Sequence, residues 1–166
     1  SRMRFDLAVN GMTLGLFKTG TIPVLRDGTQ WRPLVHVRDT CQAFLRVLES
    51  EPEIVNGETF NVGSDDQNFQ IHTLARRVAE GTDRPFEFEW YGEPDHRSYQ
   101  VSFQKIKDRL GYVTKYTPED AAHDIYGALE TGSLVDGPKT RTADWYRQLL
   151  SWHSTLQDIV LDDAVL

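Results

Sequence analysis

The sequence predicts an α/β fold of short strands alternating with helices, none of them long. Three observations carry that expectation. Apolar residues recur at alternating four- and three-residue steps in several stretches, the spacing of one helix face. Between them lie short runs of apolar, often β-branched residues bounded by turn dipeptides such as Asp27-Gly28, which read as strands. Two such runs, at 34–37 and 59–62, are brief and mostly apolar, as strands buried on both faces are, yet few strands are present to flank them. They are expected to complete a sheet whose other strands lie elsewhere.

A first helix over about 5–19 aligns Phe5, Val9, Met12 and Leu16 and stops at Gly20. Ile22-Pro23-Val24-Leu25 makes a strand entering the Asp27-Gly28 turn, and Pro33-Leu34-Val35-His36-Val37 forms a second apolar run. Asp39 stands where an N-cap belongs, ahead of Ala43, Phe44, Val47 and Leu48, giving a helix over about 39–50. On it, Cys41 is expected as a buried structural thiol; a single cysteine excludes an internal disulfide and a multi-cysteine zinc site. Gly57 turns the chain into the brief strand at 59–62. The polar loop Asp65-Asp66-Gln67-Asn68 then enters a helix through Ile71, Leu74 and Val78, stopped by Thr82-Asp83-Arg84-Pro85.

Phe86-Glu87-Phe88-Glu89-Trp90 alternates apolar and acidic residues, the period of a half-exposed strand with a solvated acidic face. A loop rich in Gly, Pro and Asp follows at 91–98, then Tyr99, Val101 and Phe103 alternate as a short extended piece. Ile106 and Leu110 belong to a short helix closed by Gly111, and Thr117-Pro118 opens a helix running to about Glu130. A linker through Gly137-Pro138 reaches a last helix at about 140–152, where Trp145, Tyr146 and Trp152 are expected to pack onto a neighbour.

The 166 residues suffice for one core, and 39% apolar with 26% charged residues is the composition of an ordinary globular protein. No apolar run approaches the roughly 20 residues of a bilayer span, and the N-terminus lacks a signal pattern, so a soluble, cytoplasmic chain with no membrane partner is expected. The net charge of −7 disfavours nucleic acid as a partner. That charge is polarised: residues 1–50 hold seven basic and four acidic groups, residues 51–166 hold 11 and 21, so a local anion site in the first third stays open.

The chain has no G-x-G-x-x-G and no phosphate-binding Walker loop, and Gly11 and Gly15 fall inside a helix rather than after a strand. No tyrosine is followed by lysine four residues on. The five histidines show no metal-ligand spacing, and Cys41 has no base nearby in sequence. Catalysis by this chain alone is therefore hard to assemble.

Three ordered strings nevertheless add up to something specific. They are Ile22-Pro23-Val24 … Asp27-Gly28-x-Gln30-x-Arg32-x-x-x-His36-Val37-x-Asp39; Glu58-x-Phe60-Asn61-Val62-Gly63; and Pro94-Asp95-x-Arg97-x-Tyr99 … Lys105-Ile106 … Leu110-Gly111-Tyr112. Together, over residues 1–130, they resemble the C-terminal half of extended short-chain dehydrogenases/reductases, the NAD-dependent nucleotide-sugar epimerases and dehydratases. The resemblance implies an α/β substrate-binding portion, some of whose strands complete a Rossmann-type sheet missing from this chain. It divides the chain into a nucleotide-sugar-binding portion, 1–132, and a linker with a helical extension of the same domain, 133–166.

The resemblance also assigns residues. Arg32 matches an arginine that approaches the substrate diphosphate, a role suited to a planar, permanently charged fork. Arg97 matches a second arginine closing on the same diphosphate from the opposite loop, although Gly92 and Glu93 stand where some relatives place the basic residue. Asp95 resembles a loop acid that contacts the ribose, with a turn-forming role after Pro94 as the alternative. Val24 and its neighbours match a strand flanking the base, and Asn10 could face the same pocket; ordinary packing serves both equally well. Gln30 is a further candidate on the Arg32 turn. His36 is read as hydrogen-bonding within the domain, Asp39 as a cap, and Asn61 as a residue that satisfies backbone.

The function so implied is binding the nucleoside diphosphate of a UDP-, dTDP-, CDP- or GDP-linked sugar, as the substrate half of an NAD-dependent epimerase or dehydratase. NAD(P) would be held by the full-length parent and not by this chain. The chemistry would come from a missing N-terminal Rossmann half, and a homodimer is common in the family. The competing reading is a non-enzymatic module that keeps the site or associates through its exposed apolar strands.

Overall fold

The computed structural model describes residues 2–161 and 164–165. Its main layer is three helices on a small parallel sheet. β1 (Thr21–Leu25) and β4 (Glu87–Tyr91) run parallel, in register from Thr21 opposite Glu87 to Leu25 opposite Tyr91. Ile22 and Val24 are fully buried and, with Val9, Met12 and Leu16 of α1 (Ala8–Thr19), Leu74, Ala75 and Val78 of α4 (Ile71–Thr82) and Ala122 of α6 (Pro118–Glu130), make the principal core. α1 ends as expected at Gly20, whose left-handed backbone (φ 72°) lets its N–H reach Leu16 O at 3.0 Å. α6 opens on a capping box between Thr117 and Asp120 with Pro118 in its first turn.

The apolar run at 33–37 does not form a strand. β2 (Trp31–Pro33) pairs antiparallel with β3 (Asn68–Gln70) for three residues, and after one further bond, from the Leu34 N–H to Gln67 O at 2.9 Å, the pairing ends. The chain then turns straight into α2 (Val37–Leu48). His36 caps this helix, its Nδ1 accepting from the Arg38 N–H at 3.2 Å, so the cap falls on His36 and not on Asp39. Asp39 instead sits fully buried in the first turn and accepts the backbone N–H groups of Lys115 and Tyr116, each at 3.0 Å. Tyr112 donates its hydroxyl to Asp39 O, and burial, helped by the Asp39 charge, pushes the phenol up to about 12.

Residues 59–62 likewise form no strand: a ladder needs a second strand alongside, and none of the described residues supplies one. Phe60 and Val62 pack into a second, smaller core with Ala43, Phe103, Tyr112, and Ile106 and Leu110 of α5 (Gln104–Leu110). A four-residue helix, α3 (Pro52–Val55), links α2 to this segment and adds Ile54 and Val55. Asn61 does satisfy backbone, donating to Ser102 O at 3.3 Å. Cys41 is exposed rather than buried, because it lies on the outer stripe of α2.

The last helix, α7 (Thr142–Ile159), is longer than the sequence suggested and has no buried residue. Tyr146 is exposed, while Trp145 and Trp152 meet each other edge to face at 5.8 Å instead of a neighbouring helix. Two-residue strands β5 (Val160–Leu161) and β6 (Ala164–Val165) pair antiparallel after it. Among the described residues no helix is long and apolar enough to cross a membrane, and no cluster of three His, Cys, Asp or Glu could hold a metal ion.

Candidate functional site

A groove of about 1130 Å³ runs between α1, the β1–β2 segment, the loop after β4 and the start of α6. Strand parity builds one wall. Since Ile22 and Val24 point into the core, the alternate residues Pro23 and Leu25 face the groove. Val24 is thus a core residue and not part of the groove lining, a correction to the expectation for that position; its neighbours on either side take the place expected of it.

Arg32 enters from β2 at the mouth. Its Nη1 donates to Trp31 O at 2.7 Å and to Arg97 O, and its Nη2 to Asp95 Oδ2 at 2.8 Å, while its guanidinium lies 5.4 Å from the Tyr99 ring centroid. Asp95 receives the other arginine as a fork: Arg97 Nε and Nη2 both donate at 2.9 Å, and the Arg97 N–H donates at 3.0 Å. These bonds from Arg97, with the charge of Arg32, pull the Asp95 carboxyl down to about 2. The loop is strapped onto β2 by Trp31 N–H donating to Ser98 Oγ at 3.0 Å.

Two guanidinium groups and one carboxylate leave a single positive charge in excess at the groove mouth. Arg32 is held, with 20% of its side chain exposed, whereas Arg97 is 83% exposed. An arriving dianion finds one largely buried fork and one exposed one, both aligned by the same acid. Deeper in, Gln30 is buried; its Nε2 donates to Leu25 O at 3.3 Å and its Oε1 has no partner. Such an unmatched acceptor costs about 1–3 kcal/mol until a donor meets it. Asn10 also lines the groove, but its Nδ2 is committed to Arg4 O at 2.9 Å and to Met3 Sδ.

Five of the six residues singled out from the sequence therefore line one groove: Arg32, Asp95, Arg97, Gln30 and Asn10. Sequence reasoning missed the aromatic support, Tyr99 against Arg32 and Tyr91 on the wall. The signal for Tyr99 was there, two residues beyond Arg97 and on the same side of an extended segment.

Residues 2–63 match the sequence model of the NAD dependent epimerase/dehydratase family. The chain is 28% identical over 142 residues to dTDP-glucose 4,6-dehydratase of Xanthomonas campestris pv. campestris, covering 79% of this chain and 35% of that protein. It is 30% identical over 93 residues to UDP-glucose 4-epimerase of Rhizobium leguminosarum bv. trifolii, covering 55% and 28%. Among solved structures it superposes on UDP-glucuronic acid 4-epimerase from Bacillus cereus in complex with UDP-glucuronic acid and NAD, with TM-score 0.64 and 17% identity over 77% of this chain and 41% of that one. RMD from Pseudomonas aeruginosa complexed with NADPH gives TM-score 0.64 and 19% identity, covering 78% and 43%. The chain thus spans about a third of the length of the first of these curated relatives and about two fifths of the solved folds. Its strings, its α/β fold and these matches agree: residues 2–63 resemble the NAD dependent epimerase/dehydratase family, and the chain has the fold of part of these solved structures.

Proposed function

We propose that this chain is the substrate-binding portion of an NAD-dependent nucleotide-sugar epimerase or dehydratase and that its groove holds the nucleoside diphosphate. The observation that carries the reading is the Arg32–Asp95–Arg97 cluster at the mouth of the groove, with the unpartnered Gln30 Oε1 buried further in. Arg32 supplies a largely buried fork to the diphosphate, Arg97 an exposed one, and Asp95 keeps both aligned while the groove is empty. The Gln30 oxygen is matched by a donor of the nucleoside. Similar chains include one solved in complex with UDP-glucuronic acid and others named for dTDP- and UDP-sugars, which supports the ligand class and leaves the base open.

The residues of this chain do not fit the dinucleotide. Gly11 and Gly15 serve packing: a Cβ on Gly11 would stand 2.8 Å from Phe5 O, and one on Gly15 2.5 Å from Pro23 Cδ. Neither cradles a pyrophosphate at a helix start. Hydride chemistry is therefore assigned to other parts of a longer protein. The exposed stripe of α2, with Val37 61%, Phe44 68% and Leu48 80% exposed, together with the segment 59–62, which joins no sheet among the described residues, is the face proposed to meet them.

Calorimetric titration with UDP, dTDP, GDP and CDP tests the reading directly. Saturable binding of at least one of them, competed by phosphate and weakened by Arg32→Ala, is the expected result. If none of the four binds, or if Arg32→Ala leaves affinity unchanged, the assignment fails.

A further inference from the structure

Asp95 spends its whole carboxylate on the protein. Oδ1 accepts the Arg97 N–H at 3.0 Å and Arg97 Nε at 2.9 Å, while Oδ2 accepts Arg32 Nη2 at 2.8 Å and Arg97 Nη2 at 2.9 Å. A carboxylate has about four places for donors, and these bonds fill them, so no lone pair is left for a ribose hydroxyl while the cluster stands. Arg32 is committed on its side as well. Both hydrogens of its Nη1 go to carbonyl oxygens, those of Trp31 and Arg97, and one hydrogen of Nη2 goes to Asp95. The two guanidinium groups thus converge on a single oxygen, Asp95 Oδ2, where a ligand oxygen would have to stand to meet both.

The hold on the two arginines is unequal. Asp95 takes three bonds from Arg97, two residues on, and one bond from Arg32, 63 residues away. Arg97 therefore anchors the carboxylate, and Arg32 is the partner it can release. The rest of the loop is tied to Trp31, whose N–H donates to Ser98 Oγ at 3.0 Å and whose carbonyl accepts the Tyr99 N–H at 3.4 Å, so Asp95 can let go of Arg32 without the loop leaving β2.

We propose that Asp95 is an internal competitor for Arg32 and thereby a specificity-determining residue: it keeps the guanidinium from single phosphates and yields it to a diphosphate. This rests on the groove taking a diphosphate, as read above, and not on the nucleoside. A single phosphate on Arg32 stands beside a carboxylate that Arg97 still holds, and the like charges repel. A diphosphate brings a second phosphoryl group for Arg97, which draws both guanidinium groups off the carboxylate together. Because Asp95 is part of the chain, its competition is present at every ligand concentration and sets a threshold that only the two-centred anion passes.

Titration of the 166-residue chain with inorganic phosphate and with inorganic pyrophosphate, followed by amide NMR shifts of residues 95–99, tests this without any nucleoside. Asp95→Asn keeps the shape of the side chain and the turn after Pro94 while removing the charge. It should lower the Kd for phosphate at least about fivefold, and the preference for pyrophosphate over phosphate should fall at least about threefold. Glu93→Gln takes the same charge from the same exposed loop and should change either Kd less than about twofold. Asp95→Ser carries the same test should the first variant not fold. Phosphate binding that is unchanged or weaker without the Asp95 charge, an equal gain for both anions, or the same gain in Glu93→Gln overturns the proposal. So does the lack of saturable binding by either anion. The groove assignment fails on different evidence. If nucleoside diphosphates bind but phosphate gains nothing from Asp95→Asn, only the competition is wrong; if the anions behave as expected and none of the four nucleoside diphosphates binds, only the nucleoside is.

Discussion

Asp95 and Asp136 each gather two cations, and both carboxyls are held down at about 2. Asp95 takes Arg32 and Arg97; Asp136 takes Lys18 and Arg141 and also accepts the Thr140 hydroxyl at 3.1 Å. At Asp136 burial pushes the carboxyl upward, and hydrogen bonds from Arg141 and Lys18 more than reverse it. At Asp95 the bonds from Arg97 lead. The two clusters have almost the same composition and differ in what they touch. Asp136 ties the segment after α6 back to α1, and the neighbouring Thr140 O receives the Phe5 N–H at 2.7 Å. All three side chains of the Asp95 cluster line the groove, with an unmatched Gln30 oxygen beyond them, whereas of the Asp136 cluster only Arg141 reaches that lining and Asp136 itself does not. Charge pairing alone does not mark a binding site; pairing beside unfilled volume does.

Arg32→Ala is the sharpest way to break that contrast. It should weaken nucleoside-diphosphate binding by about 2–3 kcal/mol, roughly 30- to 150-fold in Kd by titration, with little change in the thermal midpoint. A fall of several degrees with affinity intact would make Asp95 a second Asp136. Asp136→Asn should do the opposite: a loss of about 1–2 kcal/mol in urea unfolding, kept modest because Lys18 and Arg141 remain about half exposed, with unchanged affinity.

Acid provides a third comparison. Both carboxyls have folded pKa values below the ordinary aspartate value of about 3.9, so their contributions are present above that pH and are lost as pH falls towards 2. Urea midpoints measured from pH 5 to pH 2 should fall, and fall less steeply in Asp136→Asn. The smallest effect belongs to Arg97→Ala, whose side chain is 83% exposed: a loss of less than about fivefold in affinity, by the same titration as for Arg32.

Much of this architecture was legible in the sequence because local chemistry and global packing agree in it. The Gly20 stop, the Thr117-Pro118 start and the apolar spacing of α4 and α6 each name their own structure. Arg32, Asp95 and Arg97 were placed at one site across 63 residues of chain by their ordered strings, and they meet there. What was misread depends on partners. An apolar run at 33–37 says nothing about where its ladder ends, and the three-residue β3 lets the pairing end one residue past Pro33. Asp39 suits a cap and a buried acceptor equally, and only the distant Lys115 and Tyr116 amides decide. Val24 needed the parity of β1, which β1's burial against α1 and α4 sets. The aromatic stripe of α7 has the periodicity of a packed helix whether or not anything is packed on it.

The Asp39 contact with Lys115 and Tyr116 joins points 76 and 77 residues apart, and it spans the exposed loop at 92–98. Packing of α4 on α6 and the hydrogen bond between Trp31 and Ser98 cross the same gap. A protease that nicks this loop ahead of Arg97 therefore divides the chain without separating it: two bands under denaturing conditions, one particle under native ones. The arginines would then sit on different polypeptides and still share a single carboxylate.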